Sequence, residues 1–189
     1  MRRILFLCMI MAMNLRSSEP PFSRGVNVTG WFQESSAHAI QFTKFTREDL
    51  ADIKSLGCDV IRLPINLHAM TSGAPDYTVD PLFYYFLDQV VTWAEELELH
   101  LILDNHTFDP AVNTDPNIDK VLLPVWTQMA EHYKNYSELI YYEILNEPRG
   151  ISDKIWNDIQ RQVVSAIREI DTVHTIIIGP AGWNSYNNL

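Results

Sequence analysis

The aromatic and branched run Tyr141-Tyr142-Glu143-Ile144-Leu145 breaks off in an amide, a carboxylate and a proline: Asn146, Glu147 and Pro148. Residues of the first kind favour a packed, pleated strand, and proline cannot donate to a strand ladder, so the sequence predicts a buried strand that delivers Glu147 to its carboxyl edge. A carboxylate at such an edge suits proton transfer, because ligands of α/β proteins bind at the carboxyl ends of parallel strands. Asn146 beside it offers N–H donors to a substrate hydroxyl, and Pro148 stiffens the turn that aims both side chains. Glu143 shares a strand face with Glu147. Four residues of strand span about 13 Å, whereas paired glycosidase carboxyls lie about 5 to 9.5 Å apart. Glu143 is therefore expected as an interior group with a buried partner, for which Arg62 is a candidate, and the partner of Glu147 must come from another strand.

Arg62 sits in an apolar run, Val60-Ile61-Arg62-Leu63-Pro64. It has two readings of equal weight: a structural ion pair, or a fork that holds a catalytic carboxylate ionised and oriented. His106 follows Leu101-Ile102-Leu103-Asp104-Asn105 and reads as a third residue on the same strand-end rim. Trp31 and Trp183 come after the first and last predicted strands, where an indole could stack on a sugar face or pack in the core. Asn184 stands beside Trp183 as a further substrate-binding candidate. The six histidines form no metal-binding spacing: HExxH is absent, and Asp104 with His106 is a partial ligand set, so neither metal nor cofactor is expected. No G-x-S-x-G elbow, Walker loop or dinucleotide fingerprint occurs.

The elements that must hold these residues alternate. The first strand is expected over 23–30. Thr46 and Asp49 have the spacing of a helix-capping pair ahead of Leu50, Ile53 and Leu56, and Gly57 stops that helix. Asp80-Pro81 opens a second helix with a broad apolar face, and a third runs from about Leu122 to Tyr133. Ser152 caps a fourth, with Ile155, Ile159, Val163, Ile167 and Ile170 facing inward. Thr175-Ile176-Ile177-Ile178-Gly179 is the fifth strand. Strand and helix alternating in this way, with apolar strands, predict a parallel sheet covered by helices in an α/β fold.

With 47% hydrophobic and 20% charged residues, the 189-residue chain belongs to no disordered or fibrous class. Residues 1–18, with Arg2 and Arg3 ahead of an apolar stretch too short to span a bilayer, read as a secretory signal, leaving 19–189 as the folded part in a secreted or periplasmic protein. Loss of the leader removes three arginines from a net charge of −10. Such an acidic surface disfavours nucleic acid and anionic membrane as partners and is compatible with a neutral polysaccharide. Cys58 then remains alone and reads as a small core residue. Asn27, Asn105 and Asn135 begin N-x-S/T triplets, read as chance or as the mark of a bacterial context, since glycans at two of them would block the strand-end rim.

Together, Arg24-Gly25-Val26-Asn27, Ile61-Arg62-Leu63-Pro64, Asp104-Asn105-His106 and Asn146-Glu147-Pro148, in that order at successive strand ends, resemble glycoside hydrolase family 5 over roughly 22–189. The resemblance implies a (β/α)8 TIM barrel, of which this chain supplies about the first five strands and four helices. It also implies retaining hydrolysis of β-1,4-glucan, with mannan, xylan or xyloglucan as alternative substrates of the same family. By resemblance Glu147 is the general acid and base, Asn146 binds the 2-hydroxyl of the sugar that becomes attached, Arg62 supports the nucleophile and His106 helps hold the site. The nucleophile is expected at the end of a seventh strand, beyond Leu189. The 189 residues are thus expected as an inactive amino-terminal piece of a monomeric endoglucanase. The reading from a different class is a non-catalytic carbohydrate-binding half-barrel with Trp31 and Trp183 as platforms.

Overall fold

A computed structural model describes residues 21–107, 112–185 and 187. The expected leader lies outside the described residues, as does Tyr186. Helix entry follows the local chemistry anticipated above. Thr46 accepts from Asp49 N while its own N–H donates to the Asp49 carboxylate, which starts α1, Arg47–Ser55. Asp80 Oδ1 accepts from Leu82 N at 2.8 Å, with Pro81 at the first position of α2, Pro81–Glu96. Ser152 opens α4, Asp153–Arg168, by accepting from Ile155 N. The third helix, α3, covers Asp119–Tyr133 and begins three residues earlier than expected, with Pro124 inside it.

Five strands form one parallel sheet in the order β1-β2-β3-β4-β5: Gly25–Asn27, Val60–Ile65, His100–Asn105, Ile140–Glu143 and Thr175–Ile177. Sequential order with one α-helix in each of the four crossovers is the strand-helix-strand pattern repeated. Both outer strands are shorter than the sequence suggested, and β1 is exposed along its length. β4 also ends early, at Glu143, so Glu147 lies on a turn beyond the strand. Among the described residues no helix is long and apolar enough to cross a membrane.

Side chains alternate across the sheet because the strand period is two. Ile61, Leu63, Ile65, Leu101, Leu103 and Tyr142 point to the helices and join the main core with Phe83, Leu87, Trp126, Met129, Val163 and Ile167. Val60, Ile102 and Tyr141 occupy the opposite face with Phe22 against them. Further along that opposite face the apolar pattern is interrupted by Arg62, Asp104 and Glu143. In α4 the inward face differs from expectation at one point: Ile155 is 41% exposed, and Trp156 takes the buried place, donating Nε1–H to Gly179 O at 2.8 Å. Cys58 is buried, as its neighbours predicted.

The turn between α4 and β5 is held from inside. The buried Asp171 carboxylate accepts from Val173 N at 2.9 Å, His174 N at 3.0 Å and Tyr142 Oη at 2.9 Å, and meets His174 Nδ1 at 2.6 Å. Burial alone would raise its pKa; these hydrogen bonds outweigh burial and hold the carboxyl below its ordinary range. A carboxyl whose folded pKa is depressed stabilises the fold above its unfolded pKa and loses that contribution as the pH falls through the folded value. Asp171→Asn is therefore expected to lower stability at neutral pH by about 2 kcal/mol. The gap from the wild type should close on acidification below about pH 4. Urea unfolding at pH 7 and pH 3 measures both, and a gap that is constant with pH would remove the carboxylate from the account.

Candidate active site at the carboxyl ends of the strands

Arg62 begins level with Ile102 in the strand register, while Asp104 and Glu143 pair two residues further along the sheet. Its long side chain therefore runs toward the carboxyl ends and gathers the polar groups there. Nε donates to Glu143 Oε2 at 2.6 Å and Nη2 to Glu143 Oε1 at 2.7 Å, a forked pair that only a planar guanidinium makes. Nη2 also reaches Asn146 Oδ1 at 2.9 Å and Asp104 Oδ2 at 2.9 Å, and Nη1 donates to Asn27 Oδ1 at 3.1 Å. The ends of β1, β2, β3 and the turn after β4 are thus tied to one cation. Glu143 is the buried partner of Arg62 that the sequence suggested.

Burial works against the charge on Arg62, but the carboxylates of Glu143, Asp104 and Glu147 outweigh it and hold the guanidinium's pKa above its ordinary value. Asp104 is completely buried, and burial pushes its carboxyl above the usual range despite the opposing pull of His106 and Arg62.

His106 Nδ1 lies 2.7 Å from Asp104 Oδ2, and His106 Nε2 lies 3.4 Å from Asn146 Nδ2. Asn146 already accepts from Arg62 through its Oδ1, so its Nδ2 is the donor toward His106. The contacts are satisfied when the histidine donates Nδ1–H to Asp104 and accepts at Nε2. One N–H of the Asn146 amide then remains for a ligand. Glu147, the next residue, is exposed and adopts a left-handed backbone with φ 44°. It stands close enough for its charge to act on Arg62. Its turn is clamped on both sides: Arg149 N donates to Thr114 Oγ1 at 3.0 Å, Thr114 N to Arg149 O at 2.8 Å, and Trp183 N to Pro148 O at 3.0 Å.

Arg62, His106 and Asn146 are brought together in one hydrogen-bonded group with Glu147 at its open side. The three other candidates divide. Trp31 is 1% exposed, packed with ring centroids 4.9 Å from Phe32, 5.8 Å from Phe42 and 5.3 Å from Phe45, so the sugar-platform expectation is corrected to a core role. The short helical turns Ala37–Ala39 and Phe42–Lys44 close over it after β1. Trp183 is 53% exposed, with the Arg149 guanidinium 4.7 Å from its ring centroid. Asn184 folds its amide back against Gly179, where even a Cβ would collide with it, and its Oδ1 is buried; the expectation that it faces a substrate is corrected accordingly. A polar cleft lined by Ser35, Asn66, His68 and Thr107 opens beside the His106 side of the rim. Among the described residues no group of three or more His, Cys, Asp or Glu is arranged to hold a metal ion.

Asn27 and Asp104 stood in the strand motifs, Asn27 also in an N-x-T triplet and Asp104 also in a partial ligand set, but neither was picked out as a partner of Arg62. The signal that could have identified them is register: Asn27 pairs with Arg62, and Asp104 falls two residues along the same sheet face.

The family model for cellulase, glycosyl hydrolase family 5, matches residues 17–189. The chain belongs to glycosyl hydrolase family 5. Endoglucanase C of Acetivibrio thermocellus is 31% identical over 181 residues, covering 89% of this chain and 52% of the relative. Endoglucanase 3 of Fibrobacter succinogenes is 28% identical over 181 residues, 86% of this chain and 27% of the relative. Among solved structures, endoglucanase Cel5A of the hyperthermophile Thermotoga maritima superposes with a TM-score of 0.78 at 29% identity, covering 87% of this chain and 53% of that one. Cel5A has also been solved with cellobiose and with mannotriose. This family 5 chain therefore spans about half the length, or less, of these relatives, and its five-stranded parallel sheet corresponds to part of their TIM barrels.

Proposed function

We propose that this family 5 chain supplies the proton-transfer side of an endoglucanase that hydrolyses β-1,4-glucan with retention of configuration. The observation that carries the proposal is the placement of Asn146, held between Arg62 and His106 with one N–H to spare, directly before an exposed Glu147. In the first step the bond from C1 to the bridging oxygen breaks as a carboxylate forms a bond to C1, and Glu147 gives its proton to the departing oxygen. In the second, water attacks C1, the ester bond to the carboxylate breaks, and Glu147 takes the proton from water. The free N–H of Asn146 is suited to the 2-hydroxyl of the sugar being attached, where a hydrogen bond strengthens in the transition state.

The attacking carboxylate is a different group from those around Arg62. Both oxygens of Glu143 accept from the guanidinium, and Asp104 is buried and shared between Arg62 and His106. Neither is free to form a bond to carbon, which supports the expectation of a glutamate from a seventh strand. Trp183 is proposed as a sugar platform through the ring face that Arg149 leaves open. The leader-like residues 1–18 support secretion or a periplasmic location, as a polymeric substrate outside the cell requires. The working enzyme is proposed as a monomer, free of the membrane once the leader is removed.

Mannan is the second reading, favoured by the mannotriose complex of Cel5A. The test is hydrolysis of carboxymethylcellulose and of β-mannan by the product of the whole reading frame, with the anomeric protons of the first product followed by NMR. A β-configured product from the glucan is expected first, and the 189-residue chain alone should turn over neither polymer. An α-configured first product, or hydrolysis by the short chain, would overturn the assignment.

A further inference from the structure

We propose that Asn105 is a positioning residue for the proton donor, an inference that rests on the reading of Glu147 above. Asn105 lies at the end of β3, 3% exposed, with its side chain on the helix-facing side of the sheet, away from the sugar site. Its Nδ2 donates to the carbonyl of Ile144 at 3.1 Å, and Trp126 Nε1 of α3 donates to the same carbonyl at 3.0 Å. A carbonyl oxygen has two lone pairs, and here two side chains take both. The ladder between β3 and β4 stops there, with Asp104 and Glu143 as its last pair. The chain is then free to turn, and Asn146 N donates back to Asn105 O at 2.9 Å. Glu147 follows on its left-handed backbone.

The other end of the same amide faces the neighbouring loop. Asn105 Oδ1 accepts from Thr107 N at 3.3 Å and from the Thr107 hydroxyl, whose oxygen accepts in turn from His68 N at 3.0 Å. The position needs a donor and an acceptor on one short planar group. Aspartate fits the shape but turns an acceptor on the Ile144 carbonyl; leucine fills the volume and satisfies neither side. Asn105 touches none of the reacting atoms and acts through the path by which residues 144 to 147 leave the sheet.

The test is Asn105→Asp, with Trp126→Phe as a second variant that removes the other donor to the same carbonyl. In the whole enzyme, kcat/KM on cello-oligosaccharides, whose leaving oxygen needs a proton, is expected to fall by about 100-fold for a donor displaced by about 1 Å. On 2,4-dinitrophenyl β-cellobioside, whose leaving group departs without a proton, the fall should be less than about threefold. Equal losses on both substrates mean general loosening of the site and overturn the positioning role. A wild-type enzyme active on neither substrate removes the catalytic reading of Glu147, and the positioning role falls with it. A third measurement needs no turnover: in the 189-residue chain, Asn105→Asp should speed amide exchange at Asn146 by about tenfold while Leu103 and Tyr142 keep their protection. Unchanged exchange at Asn146, or an equal rise at all three, counts against the proposal whatever the kinetics show.

Discussion

In the proposed whole enzyme, Glu147→Gln should leave the protein folded as before and lower kcat/KM on unactivated β-glucans by about 10²- to 10⁴-fold, the range that positioned general acid catalysis contributes. The amide is nearly isosteric with the acid and cannot donate a proton of the required acidity. Exposure of the side chain removes any packing reason for a change in stability, which should stay within about 0.5 kcal/mol. The loss should depend on the leaving group. With 2,4-dinitrophenyl β-cellobioside the first step needs no acid, so a burst of dinitrophenol is expected before a slow phase in which no base activates water. Added azide, a nucleophile that needs no base, should shorten the slow phase and give a β-glycosyl azide. Wild-type rates on carboxymethylcellulose would end the assignment of Glu147.

The largest effect on stability is expected at Arg62. Arg62→Met keeps much of the length of the stem and removes the cation, leaving the Glu143 and Asp104 carboxyls, 11% and 0% exposed at the side chain, facing each other without it. Breaking one side of a buried ion pair costs about 3–5 kcal/mol. The cost has a direction in pH. Asp104 in the variant stays buried beside the Glu143 charge and loses the opposing pull of the guanidinium, so its folded pKa lies further above the unfolded value of about 4. The unfolded chain then binds fewer protons than the folded one over that interval, and stability falls as the pH rises through it. Urea midpoints for the variant should therefore lie closer to the wild type near pH 4 than near pH 7. Arg62→Lys should recover part of the loss, since an ammonium supplies charge but no fork for the two oxygens of Glu143. A variant equally destabilised at both pH values would mean that lost packing, not uncompensated charge, is the cause.

The helix starts could be read directly, because Thr46, Asp80 and Ser152 each satisfy backbone N–H groups that any helix must expose at its beginning. The parallel sheet could be read for a similar reason: its central strands are buried on both faces, so their composition carries the signal. The ends of strands were less legible. β4 stops at Glu143 although the residues after it remain apolar, because the Ile144 carbonyl is taken by Asn105 and Trp126, one from a neighbouring strand and one from a helix. No local pattern encodes that contact. The same holds for Trp31 and Trp183, two indoles after strands that read alike: the aromatic turns folded over one, and the other stayed at the surface. Arg62 and Glu143 were more readable, since a charge in an apolar strand demands a partner on the same face, and the alternation of side chains leaves few candidates.

The left-handed backbone at position 147 has a consequence for laboratory selection. Side chains other than glycine, asparagine and aspartate pay about 1 kcal/mol or more to sit at such a φ. Glycine at this position would relax the turn while abolishing the group proposed to carry the proton. Libraries screened for heat resistance alone would be drawn toward that substitution, so a search for a hardier catalyst from this scaffold has to score turnover in every round.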